Sequence, residues 1–191
     1  MERTRKRIIT AAIELFDEYG IEETTMEQIA EKADVARGTL YNYFSSREEI
    51  IGEFIEQSFK EKKTIRFQDL LELSDTRARI EYIFNQLISG IQNKKDLFEK
   101  FLVHRMQIML SFEGNEEGKG NFSLLGYKII EIGQENGEIR KDIPIYILED
   151  LFEFAFVEAV KPLYIEMENY NQNESIKRCV DLFVNGVKPP G

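Results

Sequence analysis

Apolar residues recur at three- and four-residue intervals along nearly the whole chain, the spacing that lines one face of a helix, and no segment reads as a convincing strand. Ile8, Ala11, Ala12, Leu15, Phe16 and Tyr19 predict a first helix over about Glu2 to Tyr19, with Gly20 as its stop. Two short helices follow. Ile29, Ala30 and Ala33 give the first a face of small residues that a second helix can approach closely, and Leu40 with Phe44 closes a little core around Val35 in the turn. Thr25 with Gln28 three residues on has capping-box spacing. Ser46 then caps a longer helix from about Arg47 to Lys63, with Ile50, Ile51, Phe54, Ile55 and Phe59. Asp75 opens another, with Ile80, Ile83, Phe84, Leu87 and Ile91, and one more runs over about Lys95 to Ser111. The Gly-rich polar stretch Glu113 to Asn121 reads as a loop. Helices over about Phe122 to Asn136 (ended by Gly137), from Asp142 and Pro144 toward Glu168, and over Glu174 to Val187 complete the pattern. The expectation is an all-α protein of about nine helices without internal repeats.

The two short helices joined by a tight turn are the layout that sets a recognition helix in a DNA groove. Once Leu40 and Phe44 are assigned to the core, the second helix exposes Arg37, Gly38, Thr39, Tyr41, Asn42 and Tyr43, a surface of donors and aromatic hydroxyls suited to phosphates and base edges. This run (Thr25 with Ile29-Ala30, Val35, then Gly38-Thr39-Leu40-Tyr41-Asn42-Tyr43-Phe44 and Arg47-Glu48) resembles the DNA-binding domain of the tetracycline-repressor (TetR) family of bacterial transcription regulators. The resemblance in motif covers about the first quarter of the chain. Two positions depart from the family pattern. Asp34 stands where Gly is frequent, and Asp tolerates a left-handed backbone. Ala36 replaces the usual capping Ser, so Asp34 is expected to take over part of the capping.

The resemblance implies a helix-turn-helix domain over residues 1–46 and a larger effector-binding and dimerisation domain over 47–191, joined by the fourth helix. It implies that Arg37, Gly38, Thr39 and Asn42 face base edges, that Thr25, Tyr41, Tyr43 and Arg47 grip phosphates, and that the basic arm Arg3–Arg7 lies near an adjacent backbone or minor groove. Two-fold proteins read palindromes, so a homodimer is expected. Its seam would be a four-helix bundle built on Leu148, Leu151, Phe152, Ala155, Phe156, Ala159 and Val160 with Ile176, Val180, Phe183 and Val184. In the family the larger part encloses a ligand pocket, for which Phe84, Phe101, His104, Met109, Tyr127, Phe152 and Phe156 are the candidate walls.

Charge refines this picture without reversing it. The net charge is −10, unusual for a DNA binder, yet screening confines each charge to about 8 Å at physiological salt, so the local distribution decides. The first ten residues carry Arg3, Arg5, Lys6 and Arg7 against Glu2 alone, and Arg37 and Arg47 flank the proposed recognition helix. One His removes both a histidine-rich metal cluster and an ordinary Ser-His-Asp arrangement, and no Gly-rich phosphate loop follows a strand; no enzyme, metal or cofactor is expected. The lone Cys179 reads as an inert buried thiol, and Glu158 as a dimer-interface or surface carboxylate rather than a ligand-facing one. With no apolar run near the ~20 residues of a membrane span and no secretory signal, the chain is expected in the cytoplasm, without membrane contact. Two function classes remain: a transcription repressor released from double-stranded operator DNA by a small-molecule effector, or a helical binding or scaffold protein that keeps the fold and acts through other partners.

Overall fold

The computed structural model describes residues 2–61, 67–91, 94–109, 121–165 and 169–189. These form helices α1 (Glu2–Tyr19), α2 (Met26–Lys32), α3 (Arg37–Tyr43), α4 (Arg47–Glu61), α5 (Phe67–Leu71), α6 (Thr76–Ile91), α7 (Lys95–Met109), α8 (Asn121–Glu135), α9 (Ile145–Val160), α10 (Pro162–Ile165) and α11 (Gln172–Gly186). The fold is all-α. Nine of the helices among the described residues follow the predicted order; α5 and α10 are short additions, and the long helix drawn toward Glu168 stops at Val160 before Pro162, which cannot continue the ladder. Of the expected loop over Glu113 to Asn121, residues 113–120 lie outside the described residues, and Asn121 is already the first residue of α8.

The chain divides into two compact units, Met1–Ser58 with Lys94–Ser111 and Phe59–Asn93 with Phe112–Gly191. In the first, α2 packs against both α1 and α3. Ile8, Ala12 and Phe16 of α1, Ile29 of α2, Leu40 and Phe44 of the α3 region, and Ile50 and Ile51 of α4 are buried. Tyr19, grouped with the α1 core stripe from its spacing, is instead exposed beside the helix end. Gly20 stops α1 in the left-handed region, at φ +87°, where a side chain would be strained.

The second unit is built on α9, which packs against α8 and α11, while α11 also packs against α6. Its centre is aromatic. Phe84 meets Phe152 and Phe156 at ring-centroid distances of 5.3 and 5.0 Å, and Phe122 meets the same two at 5.6 and 4.8 Å, within the range of favourable tilted pairs. Two glycines of α8 let backbone reach this core. A Cβ on Gly126 would stand 2.7 Å from the Phe152 ring, and one on Gly133 would stand 2.5 Å from Thr76 Oγ1 and 2.7 Å from Ile139 Cδ1. Beside Gly133, the buried Arg79 donates from Nε to the Leu70 carbonyl and from Nη2 to that of Leu73, both at 3.0 Å, which ties α5 and the following turn to α6. Nη1 of Arg79 reaches Glu138 Oε2 at 3.4 Å. Burial alone would raise the Glu138 carboxyl, but donors from Thr76 and Asn136 together with Arg79 outweigh it and hold the group below its ordinary value.

Candidate nucleic-acid interface

The local signals read from the sequence build the head as expected, with one exception. Thr25 Oγ1 accepts from the Gln28 amide at 3.2 Å while the Gln28 side chain accepts from the Thr25 amide at 2.7 Å, a complete capping box at the start of α2. Asp34 carries the turn into α3 with φ +51°. It does not cap α3: the N-cap is Ala36 and no side chain bonds there. The Asp34 carboxylate is turned instead toward Arg7, 3.3 Å from Nη2, a position that leaves the first amides of α3 open toward solvent or an anion. Ser46 caps α4, accepting from the Glu49 amide at 3.3 Å.

On α3, Leu40 and Phe44 are buried, as their spacing predicts. Arg37, Gly38, Tyr41 and Asn42 are exposed, and Thr39 and Tyr43 are half-buried on the same short helix. A Cβ added to Gly38 would meet nothing, so the glycine marks an open surface and not an internal contact. The Arg37 guanidinium is held at 2.6 Å from Glu27 Oε1 of α2 and lies 5.7 Å from the centre of the Tyr41 ring.

The other basic residues are employed differently. Arg47, placed on phosphate by resemblance, turns its Nη1 into the loop before α2, donating to the carbonyls of Ile21, Glu22 and Thr24 at 2.5, 3.0 and 3.0 Å. It is a staple holding the loop that leads into Thr25. The stretch Arg3–Arg7 is the first turns of α1 and not an extended arm. Arg5 pairs with Glu53 at 2.9 Å and lies 4.7 Å from the Phe44 ring centre, and Arg7 donates to the Ala33 carbonyl at 2.6 Å. Arg3, Lys6, Arg7 and Lys32 surround a shallow hollow of about 390 Å³ that also touches Glu14 and Asp34. A second staple comes from α7 and the residue before it: Lys94 bonds Asp17 at 2.9 Å, and Lys100 bonds Glu22, whose other oxygen approaches Arg47 at 3.7 Å. The Lys100 bond holds the Glu22 carboxyl below its ordinary range and raises Lys100. Sequence spacing gave no sign of these pairs, which join residues far apart in the chain.

The residues proposed as ligand walls fall in both units. Phe101 packs on Phe98 at 5.6 Å in the first, where His104 is half-buried; the Met109 side chain lies outside the described residues. In the second, Phe84 and Phe122 each pack on Phe152 and Phe156, edge-on for Phe84 with Phe156 and tilted for the other pairs, and the half-buried Tyr127 donates its hydroxyl to Glu131 at 3.0 Å. The buried carboxylates of α9 are Glu149 and Glu153, the latter accepting from Ser123 at 2.6 Å; Glu158 is half-buried and pairs with Lys161 at 3.1 Å. Cys179 is half-buried, and burial, with help from Glu158, pushes its thiol above the ordinary value, the opposite of a reactive site. Of the α9 seam residues named from the sequence, Leu148, Phe152, Phe156, Ala159 and Val160 are buried within the second unit and Leu151 is exposed; the exposed apolar stripe of α9 is Ile147, Leu151 and Phe154. Ile176, Val180, Phe183 and Val184 of α11 are buried too, because this helix spends its apolar stripe on α6 and α9. Among the described residues no helix is long and apolar enough to cross a membrane, and no group of metal-ligating side chains gathers.

Comparison with known proteins agrees with this geometry. Residues 8–54 match the model of the "Bacterial regulatory proteins, tetR family". Over 184 residues, spanning 95% of this chain and 94% of the relative, the sequence is 22% identical to the fatty acid metabolism regulator protein of Bacillus subtilis. It is 23% identical to the probable acrEF/envCD operon repressor of Escherichia coli over 94% of this chain and 84% of that one. The fold is similar to that of Thermus thermophilus FadR, a TetR-family transcriptional repressor in complex with lauroyl-CoA, with a TM-score of 0.72 at 22% identity over 98% of this chain and 96% of the other. It is also similar to Bacillus subtilis FadR in complex with stearoyl-CoA, at a TM-score of 0.54 and 20% identity over 95% and 98%. The motif run, the capped head it folds into and these likenesses give one conclusion: residues 8–54 form a tetR-family DNA-binding head, and the chain as a whole is similar in sequence and fold to regulators of that family.

Proposed function

We propose that this protein is a transcription repressor that binds double-stranded operator DNA through α3 and leaves it when a small-molecule effector binds. The observation that carries the reading is the exposed face of α3, where Arg37, Gly38, Tyr41 and Asn42 stand open on a helix anchored by Leu40 and Phe44. Arg37, Gly38, Thr39 and Asn42 face base edges. Thr25, Tyr41 and Tyr43 bond phosphates, and the N-terminal turn of α3, which the Ala36 side chain does not cap, adds to that grip. Arg47 contributes by fixing the loop ahead of Thr25. The division of labour follows the family: residues 1–46 read DNA and residues 47–191 bind effector and dimerise, in the cytoplasm and without catalysis.

One α3 offers too little surface for operator-grade affinity, so the active species is a two-fold dimer on half-sites about 34–36 Å apart. Ile147, Leu151 and Phe154 of α9, with Leu182 of α11, are exposed and give the seam its apolar surface.

The effector is a long-chain acyl thioester. This rests on the nearly full-length likenesses to a fatty acid metabolism regulator and to two FadR regulators in complex with acyl-CoA, and on the apolar, aromatic make-up of the second unit. Release requires the ligand to favour the state in which the two heads no longer match successive grooves. α4 is the proposed lever, because its first residues belong to the reading unit and its last to the other. Selection from a random duplex pool, followed by titration of lauroyl-CoA into the protein–DNA complex, tests the reading. A palindromic consensus and dissociation by the thioester are expected. Absence of any enriched sequence would overturn the DNA reading, and a complex indifferent to acyl-CoA would overturn the effector class.

A further inference from the structure

An acidic side chain is drawn onto the exposed face of α3, where a face that only bound phosphate would have no use for it. Glu27 is the second residue of α2, and its carboxylate lies 2.6 Å from Nη2 of Arg37, the first residue of α3. Both side chains are well exposed, at 50% and 67%, so as a stabilising ion pair this contact is worth little. Its effect is geometric. On the other side, Tyr41, one turn along α3, presents its ring 5.7 Å from the guanidinium carbon. A side chain with several freely rotating bonds is thereby held between a carboxylate from one helix and a ring from the next. A guanidinium has five N–H donors in a rigid fork; one spent on Glu27 leaves four for a base edge, enough for the two-pronged contact that reads guanine.

We infer that Glu27 is a specificity-determining positioning residue: it fixes the Arg37 fork for a base edge and penalises every DNA that offers the fork no acceptor. The inference rests on α3 being the reading helix. Two physical effects drive it. Immobilising Arg37 before binding removes part of the rotamer cost otherwise met on the DNA. And if Arg37 swings away to a phosphate, Glu27 is left unpaired beside a polyanion. Correct sequences keep the pair satisfied; incorrect ones break it.

The test uses the full-length protein and a consensus duplex selected by the wild type from a random pool, with every single-base variant of one half-site. Wild type should lose about tenfold or more at one base position, the one at which Arg37→Ala is indifferent to base identity. Glu27→Gln keeps the size of the side chain and removes its charge. It should flatten the profile at that same position to within about threefold, leave the other positions as in wild type, and tighten binding to scrambled duplex. Glu23→Gln, which removes an equal charge from an exposed residue of the preceding loop, should leave the profile unchanged. Matching melting temperatures for the variants keep folding out of the comparison. A Glu27→Gln profile identical to wild type at the Arg37 position overturns the inference, as does a uniform gain at all sequences equal to that of Glu23→Gln. If the wild type enriches no sequence at all, the assignment of α3 as a reading helix falls first and takes the inference with it.

Discussion

The two units reach order by different means. In the first, small helices are held by side chains that bond nearby backbone: Thr25 and Gln28 at α2, Ser46 at α4, Arg7 on the Ala33 carbonyl and Arg47 on three carbonyls of one loop. Its core mixes aliphatic side chains with Phe16, Phe44, Phe98 and Phe101, and most of the capping and stapling groups lie at or near the surface. In the second, order comes from interdigitated rings and from helix backbones that approach through Gly126 and Gly133. The lesson is one of tolerance. A head specified by caps and staples can vary its exposed residues with little cost to folding, which suits a surface that must match DNA; a unit specified by aromatic packing is sensitive to volume at almost every central position.

Several substitutions should break or sharpen this contrast. Phe152 touches Phe84, Phe122 and Phe183 and fills the notch at Gly126. Phe152→Ala should therefore cost about 3–5 kcal/mol by denaturant unfolding, with loss of hydrogen-exchange protection in α8 and α9. An effect below 1 kcal/mol would mean that the aromatic centre is not what holds the second unit. Arg47→Ala should cost about 1.5–3 kcal/mol, because it strips a charged donor from three carbonyls at once. The lost protection should centre on residues 21–25 and α2, and the salt dependence of DNA binding should keep its slope; a slope reduced by about one would assign Arg47 to phosphate after all. At Gly133, alanine would ordinarily strengthen a helix, yet its Cβ would collide with Thr76 and Ile139. Gly133→Ala should accordingly destabilise by about 1–3 kcal/mol, and a stabilised variant would show that α6 and α8 have room to part. Thr25→Ala should cost about 1 kcal/mol, confined to the first turn of α2.

The smallest effect concerns pH. Lys100 lowers the carboxyl of Glu22 below its ordinary 4.5, so the pair favours the folded state above that value, and the contribution fades as pH falls through the lower folded value. Glu22→Gln should remove a slight acid-side slope in stability, and an unchanged slope would show that the pair adds nothing measurable.

How far the sequence could be read follows the same division. Caps, turn and reading face lie within a few residues of one another, so Thr25, Asp34, Leu40 and Phe44 announced their places directly. The sequence says least where a distant partner decides. The resemblance places Arg47 on phosphate, while its carbonyl partners lie 23–26 residues back, beyond any helical spacing. The capping expected of Asp34 is absent because Arg7, 27 residues back in α1, claims its carboxylate. The α9 stripe was read as a subunit seam because periodicity cannot say whether an apolar face meets its own chain or another. Here α8 and α11 cover Phe152 and Phe156, and the exposed residues are Ile147, Leu151 and Phe154.

The central claim, that the exposed face of α3 reads DNA sequence, is tested most directly by titrating wild type, Arg37→Ala and Tyr43→Phe against the selected duplex and a scrambled one of equal length. Arg37→Ala should weaken binding to the selected duplex by about 1–3 kcal/mol and relax discrimination at one base position, with little change on the scrambled duplex. Tyr43→Phe should weaken both duplexes alike, as loss of a phosphate contact does. Unchanged affinity in both variants, with folding intact, would contradict the account.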